Sequence, residues 1–206
     1  MRRAAIAVGC ALGFFLTART PALQVTASPV QAQADRPWWV SGEMGAGELK
    51  LSSDQRQGDR VSTFALGFAG GRHITQWARV GLKVNGWLLQ AFNLNDPTVG
   101  ESVSNVMGIV DILPSPRHPL FARAGVGWAS YTNNSPAGTN GSGLAWEAGG
   151  GYEIPVARNF ALAPVVEYAA GAFGNANNPL APQTNRKYTV IEFKLAAVYR
   201  FGGHGR

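Results

Sequence analysis

The segment from Tyr188 to Phe201 constrains this chain most. Ile191, Phe193, Leu195, Ala197, Tyr199 and Phe201 occupy alternate positions, and Glu192, Lys194 and Arg200 lie among the residues between them. Successive side chains of a β-strand point to opposite faces, so this segment has one apolar face and one charged face. Such a strand suits a wall between lipid and a polar interior. It also ends on aromatic residues, which are favoured where membrane meets water.

The same alternation recurs upstream and predicts eight strands, at roughly 37–51, 61–71, 77–90, 101–113, 119–131, 143–154, 159–173 and 187–201. The connections alternate in kind. Those at 52–60, 91–100, 132–142 and 174–186 are longer and polar, whereas those at 72–76, 114–118 and 155–158 are short. Long loops on one side and short turns on the other are the habit of outer-membrane barrels, whose short turns lie in the periplasm. An even strand number puts both termini on the short-turn side. After Leu16 no apolar stretch is long enough for a membrane helix, and helical periodicity is absent. The expected fold is therefore all-β, a single eight-stranded antiparallel up-and-down transmembrane β-barrel.

The two faces differ in a telling way. Phe64, Leu66 and Phe68, then Leu82, Val84 and Leu88, then Leu144, Trp146 and Tyr152 belong to the apolar set. Gly45, Gly47, Gly67, Gly81, Gly125, Gly127, Gly149 and Gly151 all fall on the charged set. In a soluble barrel the charged set would face water, where glycine only weakens a strand. A narrow lumen needs small neighbours beside long Arg, Lys and Glu side chains, because an eight-stranded interior is just wide enough to be filled. Pro164 lies within the seventh strand and removes a ladder hydrogen bond, so a bulge or a strand break is expected there.

The N-terminus reads as an export signal. Met1, Arg2 and Arg3 precede an apolar run from Ala4 to Leu16 that is too short to span a bilayer as a helix. Ala32, Gln33 and Ala34 then offer a small-x-small cleavage site, with an earlier cut near Ala22 as the alternative. The expected organisation is a signal peptide over 1–34 and a barrel domain over 35–206. Cys10 lies inside the apolar run, ahead of Phe14 and Phe15, which disfavours a lipoprotein anchor. The remainder has no cysteine, so no disulfide forms. Removing the leader takes three arginines and no acid, and the net charge falls from +6 to +3. No basic run exceeds two residues, so a nucleic-acid partner is not expected.

With these features the chain resembles the eight-stranded outer-membrane barrels typified by the membrane domain of outer-membrane protein A, its OmpX-like relatives and the opacity-type surface proteins. The resemblance covers essentially all of residues 35–201. It rests on strand count, loop alternation and the closing segment from Phe193 to Phe201. That segment is similar to the family's C-terminal assembly signal, carried here by Phe193, Leu195, Tyr199 and Phe201. The resemblance implies insertion by the outer-membrane assembly machinery, although here residues 202–206 follow the terminal phenylalanine. It implies little about function, since the fold hosts adhesins, plugs, enzymes and small pores.

The strongest polar constellation is the inward charged set. Glu43, Lys83, Arg123, Glu147, Glu167 and Lys194 are expected at middle height, with Asp111, Glu153 and Arg200 nearer the periplasmic mouth. Isolated buried charges are costly, so these should pair. They then form either a structural plug or a narrow, gated ion path through exchangeable pairs, and the narrow lumen favours the plug. Enzymes on this architecture use a His on the outer-leaflet side. Here His73 and His118 fall in short turns and His204 in the tail. Glu147 and Glu167 could serve as a catalytic pair, but a lumen ion-pair role is the simpler reading. No His or Cys cluster has metal-ligand spacing, and Gly149, Gly150 and Gly151 lack the strand-to-helix context of a phosphate loop. No cofactor or metal is expected. Asn133–Ser135 and Asn140–Ser142 match a glycosylation pattern by composition alone. The loops at 132–142 and 174–186 carry few charges and no aromatics, so they are solvated loops or weak binding surfaces. Expected partners are outer-membrane lipid, the assembly machinery, and an extracellular ligand at the loops 52–60, 91–100, 132–142 and 174–186. The expected role is a non-enzymatic structural or surface-interaction (adhesin-like) envelope protein with a polar, largely plugged lumen. A low-conductance pore is the alternative, and a lipid-modifying enzyme ranks third.

Overall fold

A computed structural model describes residues 37–54, 57–88, 101–114, 119–133, 140–176 and 183–202. The expected leader with Cys10, the loop 91–100, most of the turn 114–118 with His118, and His204 lie outside them. The strands are β1 (Trp38–Ser52), β2 (Gln57–Thr75), β3 (Ala78–Leu88), β4 (Glu101–Ile112), β5 (Leu120–Asn133), β6 (Gly141–Tyr152), the short β7 (Ile154–Ala157), β8 (Phe160–Ala176) and β9 (Gln183–Phe201). All neighbours pair antiparallel, β1 pairs with β9, and β6 pairs with β8, so the sheet closes. β6 and β7 act as one stave, and the result is the expected eight-stranded up-and-down barrel.

The faces follow the alternation. Phe68, Leu82, Val126, Leu144 and Phe193 are exposed on the outside, whereas Lys83, Glu147, Glu167 and Glu192 are fully buried inside. Along β9 the outer apolar run spans Ile191 to Phe201. At the rise and tilt of barrel strands this covers about 25 Å of bilayer, the height of a barrel's apolar band. Trp38, Trp77, Tyr152, Tyr199 and Phe201 ring its short-turn end, and Arg72 sits 5.6 Å over the Trp38 ring. Trp128, Trp146 and Tyr168 ring the other end.

Several strands run longer than expected. β2 begins at Gln57 within the expected loop 52–60, β8 and β9 take up parts of 174–186, and β5 and β6 take up the ends of 132–142. Above the apolar band alternation no longer carries a hydrophobic signal, yet backbone pairing continues. At the other end β2 runs to Thr75, so the turn is at 76–77, and His73 lies inside the strand opposite Arg79. The expected turn at 155–158 is mostly β7, and the turn falls at Arg158 and Asn159.

Pro164 produces its disturbance next door. β8 carries it without a bulge, paired with Leu195 in continuous register. The pairs Gly151↔Val165 and Ile154↔Leu162 share one register, which sets Tyr152 opposite Pro164. Proline has no N–H to offer there, and the facing stave is interrupted between β6 and β7. On its other side the stave stays bonded, with the Glu153 amide donating to the Pro119 carbonyl at 2.8 Å. A crevice of about 420 Å³ opens at this seam, lined by Leu120, Tyr152, Pro164, Val166 and Phe193 among others.

Candidate functional site

The inward phase of the strands fills the lumen with charge. Small residues on the same phase make room for it. A Cβ at Gly125 would stand 2.8 Å from the Glu147 Cγ, and one at Gly149 would stand 2.6 Å from the Glu167 Cγ. Both glycines are thus the space into which a neighbouring glutamate lies.

All six residues expected at middle height are buried and lie within one ion-pair cluster. Lys83 of β3 donates to Glu167 of β8 at 2.6 Å and to Glu147 of β6 at 3.2 Å, and sits 3.6 Å from Glu43 of β1. Arg123 of β5 donates through one nitrogen to Glu43 at 2.9 Å and to Glu167 at 3.1 Å. Lys194 of β9 meets Glu43 at 3.0 Å and also bonds Glu167. Charges from six staves thus converge near the axis. Burying them is tolerable because each is paired, which offsets desolvation.

Sequence reasoning left Glu192 out of this cluster. It lies 2.8 Å from Lys194 and accepts from the Trp87 indole at 2.7 Å. Its alternation with Lys194 along β9 was the available signal.

A second tier lies nearer the short turns. Arg79 donates to Asp111 at 2.7 Å and to Glu153 at 2.5 Å, and Arg200 bonds the other oxygen of Glu153. Asp111 and Arg123 face each other across β4 and β5, and Arg123 grips both carboxylate oxygens at 2.7 and 3.0 Å. Arg123 therefore ties the two tiers into one network. Trp39 and Phe121 flank the Arg79 guanidinium, with ring centres 4.6 and 5.0 Å away. A flat cation against π-faces is well held when desolvated.

Towards the long loops the lumen is aromatic. Trp87, Tyr188, Phe173 and Tyr131 form a chain of ring contacts with centroids 5.9, 5.0 and 5.6 Å apart. Arg186 lies 3.9 Å over the Tyr131 ring, and the Tyr131 hydroxyl bonds Glu101. The sequence reading placed aromatics on the apolar set and at the end of the closing strand, and left these four unassigned. These four sit on the inward phase, so the parity of their positions was the signal that could have found them.

Chemically the arrangement sets buried acids against buried cations at ion-pair distance. Glu147 and Glu167 share Lys83. Among the described residues no group of His, Cys, Asp and Glu is arranged to hold a metal ion. Phe193, Leu195, Tyr199 and Phe201, the residues expected to form an assembly signal, all face outward, and Tyr199 stacks on Phe201 at 6.2 Å.

The fold is similar to solved outer-membrane barrels. Neisserial surface protein A superposes with a TM-score of 0.53 at 16% identity, over 80% of this chain and 97% of that one. Ail, the attachment invasion locus protein of Yersinia pestis, matches at 13% identity with a TM-score of 0.47, over 80% of this chain and 99% of its own. OprG of Pseudomonas aeruginosa matches at 12% identity with a TM-score of 0.42, over 82% and 97%. A search of curated proteins gives no match. The family model described as outer membrane protein β-barrel domain matches residues 20–201, and the chain belongs to that family.

Proposed function

We propose that this protein is a non-enzymatic envelope barrel whose ion-paired lumen is closed, and that it acts as a structural or surface-interaction element. The observation that carries this reading is the network around Arg123, Lys83 and Lys194, in which buried cations meet acids from several staves. An eight-stranded lumen leaves little width once such side chains fill it, and the aromatic chain from Trp87 to Tyr131 adds a second obstruction. In this reading residues 1–34 direct export and are removed. The short turns face the periplasm, and Phe193, Leu195, Tyr199 and Phe201 serve the assembly machinery. Any extracellular ligand is met at the long-loop end, and the six mid-height charges serve as scaffold. Planar-bilayer recording of refolded protein tests the closed lumen. No stepwise conductance is expected, and regular unitary steps from the wild type would overturn the reading.

A low-conductance pore is the second reading. It draws on the sharing of partners, since Lys83 lies within reach of three acids and Glu167 of three cations. Charges that can exchange partners can pass an ion along. Under that reading Lys83→Met would shift ion selectivity and barely change stability.

A further inference from the structure

The outer wall is uncharged through its apolar band, but its long-loop end is lopsided. Just beyond the band, the outward positions of β4, β5 and β6 hold Ser102, Ser104, Ser130 and Ser142. The corresponding outward positions of β1, β2 and β9 hold Glu48, Ser62 and Thr189, and two residues further out Lys50, Arg60 and Lys187. Their outward direction follows from Leu49, Thr63 and Tyr188, which are buried on the opposite phase.

These cations are close neighbours. Lys50 stands directly opposite Arg60 across β1 and β2, and like charges in that position repel. On its other side Lys50 faces Thr189, and Lys187 lies two residues further along β9. Relief among the described residues is small. Arg60 has an exposed ion pair with Glu48 at 3.3 Å. Asp54 accepts a hydrogen bond from Asn185, and Asp59 lies on the opposite phase of β2 from Arg60. Among the described residues no carboxylate lies within ion-pair distance of Lys50 or Lys187.

Height identifies the counter-charge. The last apolar outward residues of this sector are Ala46, Phe64 and Ile191, four residues short of the cations. Four residues of tilted strand rise about 10 Å. The headgroup layer beyond the hydrocarbon is roughly 5–8 Å thick. Long Lys and Arg side chains bridge that difference by reaching back towards it. We propose that Lys50, Arg60 and Lys187 form a phosphate-binding sector for an anionic lipid headgroup in the leaflet at the long-loop end. It rests on the family's membrane setting and is independent of whether the lumen conducts.

The test is lipid selectivity. Refolded protein in phosphatidylcholine vesicles is probed by electron spin resonance with spin-labelled phosphatidic acid and spin-labelled phosphatidylcholine. Wild type should prefer the phosphatidic acid. Lys187→Gln should lower that preference roughly fivefold at low salt, the effect of one cation at a membrane surface. The triple variant K50Q/R60Q/K187Q should abolish it, while Arg72→Gln at the other end should leave it intact. The gel shift between unheated and boiled protein confirms that each variant is folded, and the single variant decides the matter if the triple one is not. Equal preference in wild type and Lys187→Gln overturns the proposal. Inorganic phosphate separates lipid from free ion. It should weaken the preference no more than sodium chloride of equal ionic strength, and displacement by phosphate well below that level would make the free ion the ligand and overturn the lipid assignment.

Discussion

Among the described residues Glu147 meets one cation at ion-pair distance. That cation is Lys83, whereas Glu43 and Glu167 each also meet Arg123 and Lys194. Lys83→Met therefore strands Glu147 and only thins the surroundings of the other two. Breaking a buried pair this way should cost about 3–5 kcal/mol. The asymmetry makes the rescue specific. K83M/E147Q should recover most of the loss, and K83M/E167Q much less, because Glu167→Gln removes an acid that still has two cations. Urea unfolding of the single and double variants measures the coupling. Equal rescue by both glutamines would mean that the network redistributes freely.

Pro164 shows how an element absorbs a residue that does not suit it. In a closed barrel every central strand is paired on both sides, so a missing amide must leave a gap somewhere. Here β8 stays in register at Pro164 while the facing stave divides into β6 and β7. An unpaired backbone group in a bilayer wall is expensive. Pro164→Ala restores a donor opposite Tyr152 at a position whose ring faces outward. The variant should be as stable as wild type or better by up to about 1 kcal/mol, the net worth of one hydrogen bond. Thermal unfolding in detergent checks this. A clear loss of stability would assign the proline a packing role at the adjacent crevice.

For the whole molecule, closure matters most. The pairing of β1 with β9 runs from Trp38 opposite Phe201 to Ser52 opposite Lys187, so first and last strands seal along their length. Among the described strands no sheet edge remains to fray, and unfolding must break the ring and the lumen network together. Unheated protein should accordingly migrate differently from boiled protein on a denaturing gel. Identical mobility, with full solubility in the absence of detergent, would contradict the membrane setting of the family.

The alternation of residues settled which side chains face lipid and which face the lumen. That pattern is local: a period of two is written into each strand, so Phe193 and Lys194 take opposite sides whatever the neighbours are. The glycines of the inward phase were legible for the same reason, as was the proline's missing donor. Parity carried the same signal for Glu192, Trp87 and Tyr188, although the sequence reading did not place them in the lumen network. Who meets whom was not legible. Arg123 reaches Glu43 from the far side of the barrel, and Lys83 reaches Glu147 across it. Those distances depend on the stagger accumulated around eight staves, a property of closure that no single strand encodes. The division of one stave opposite Pro164 and the strand extensions above the apolar band likewise depended on pairing between strands, which only the tertiary structure decided.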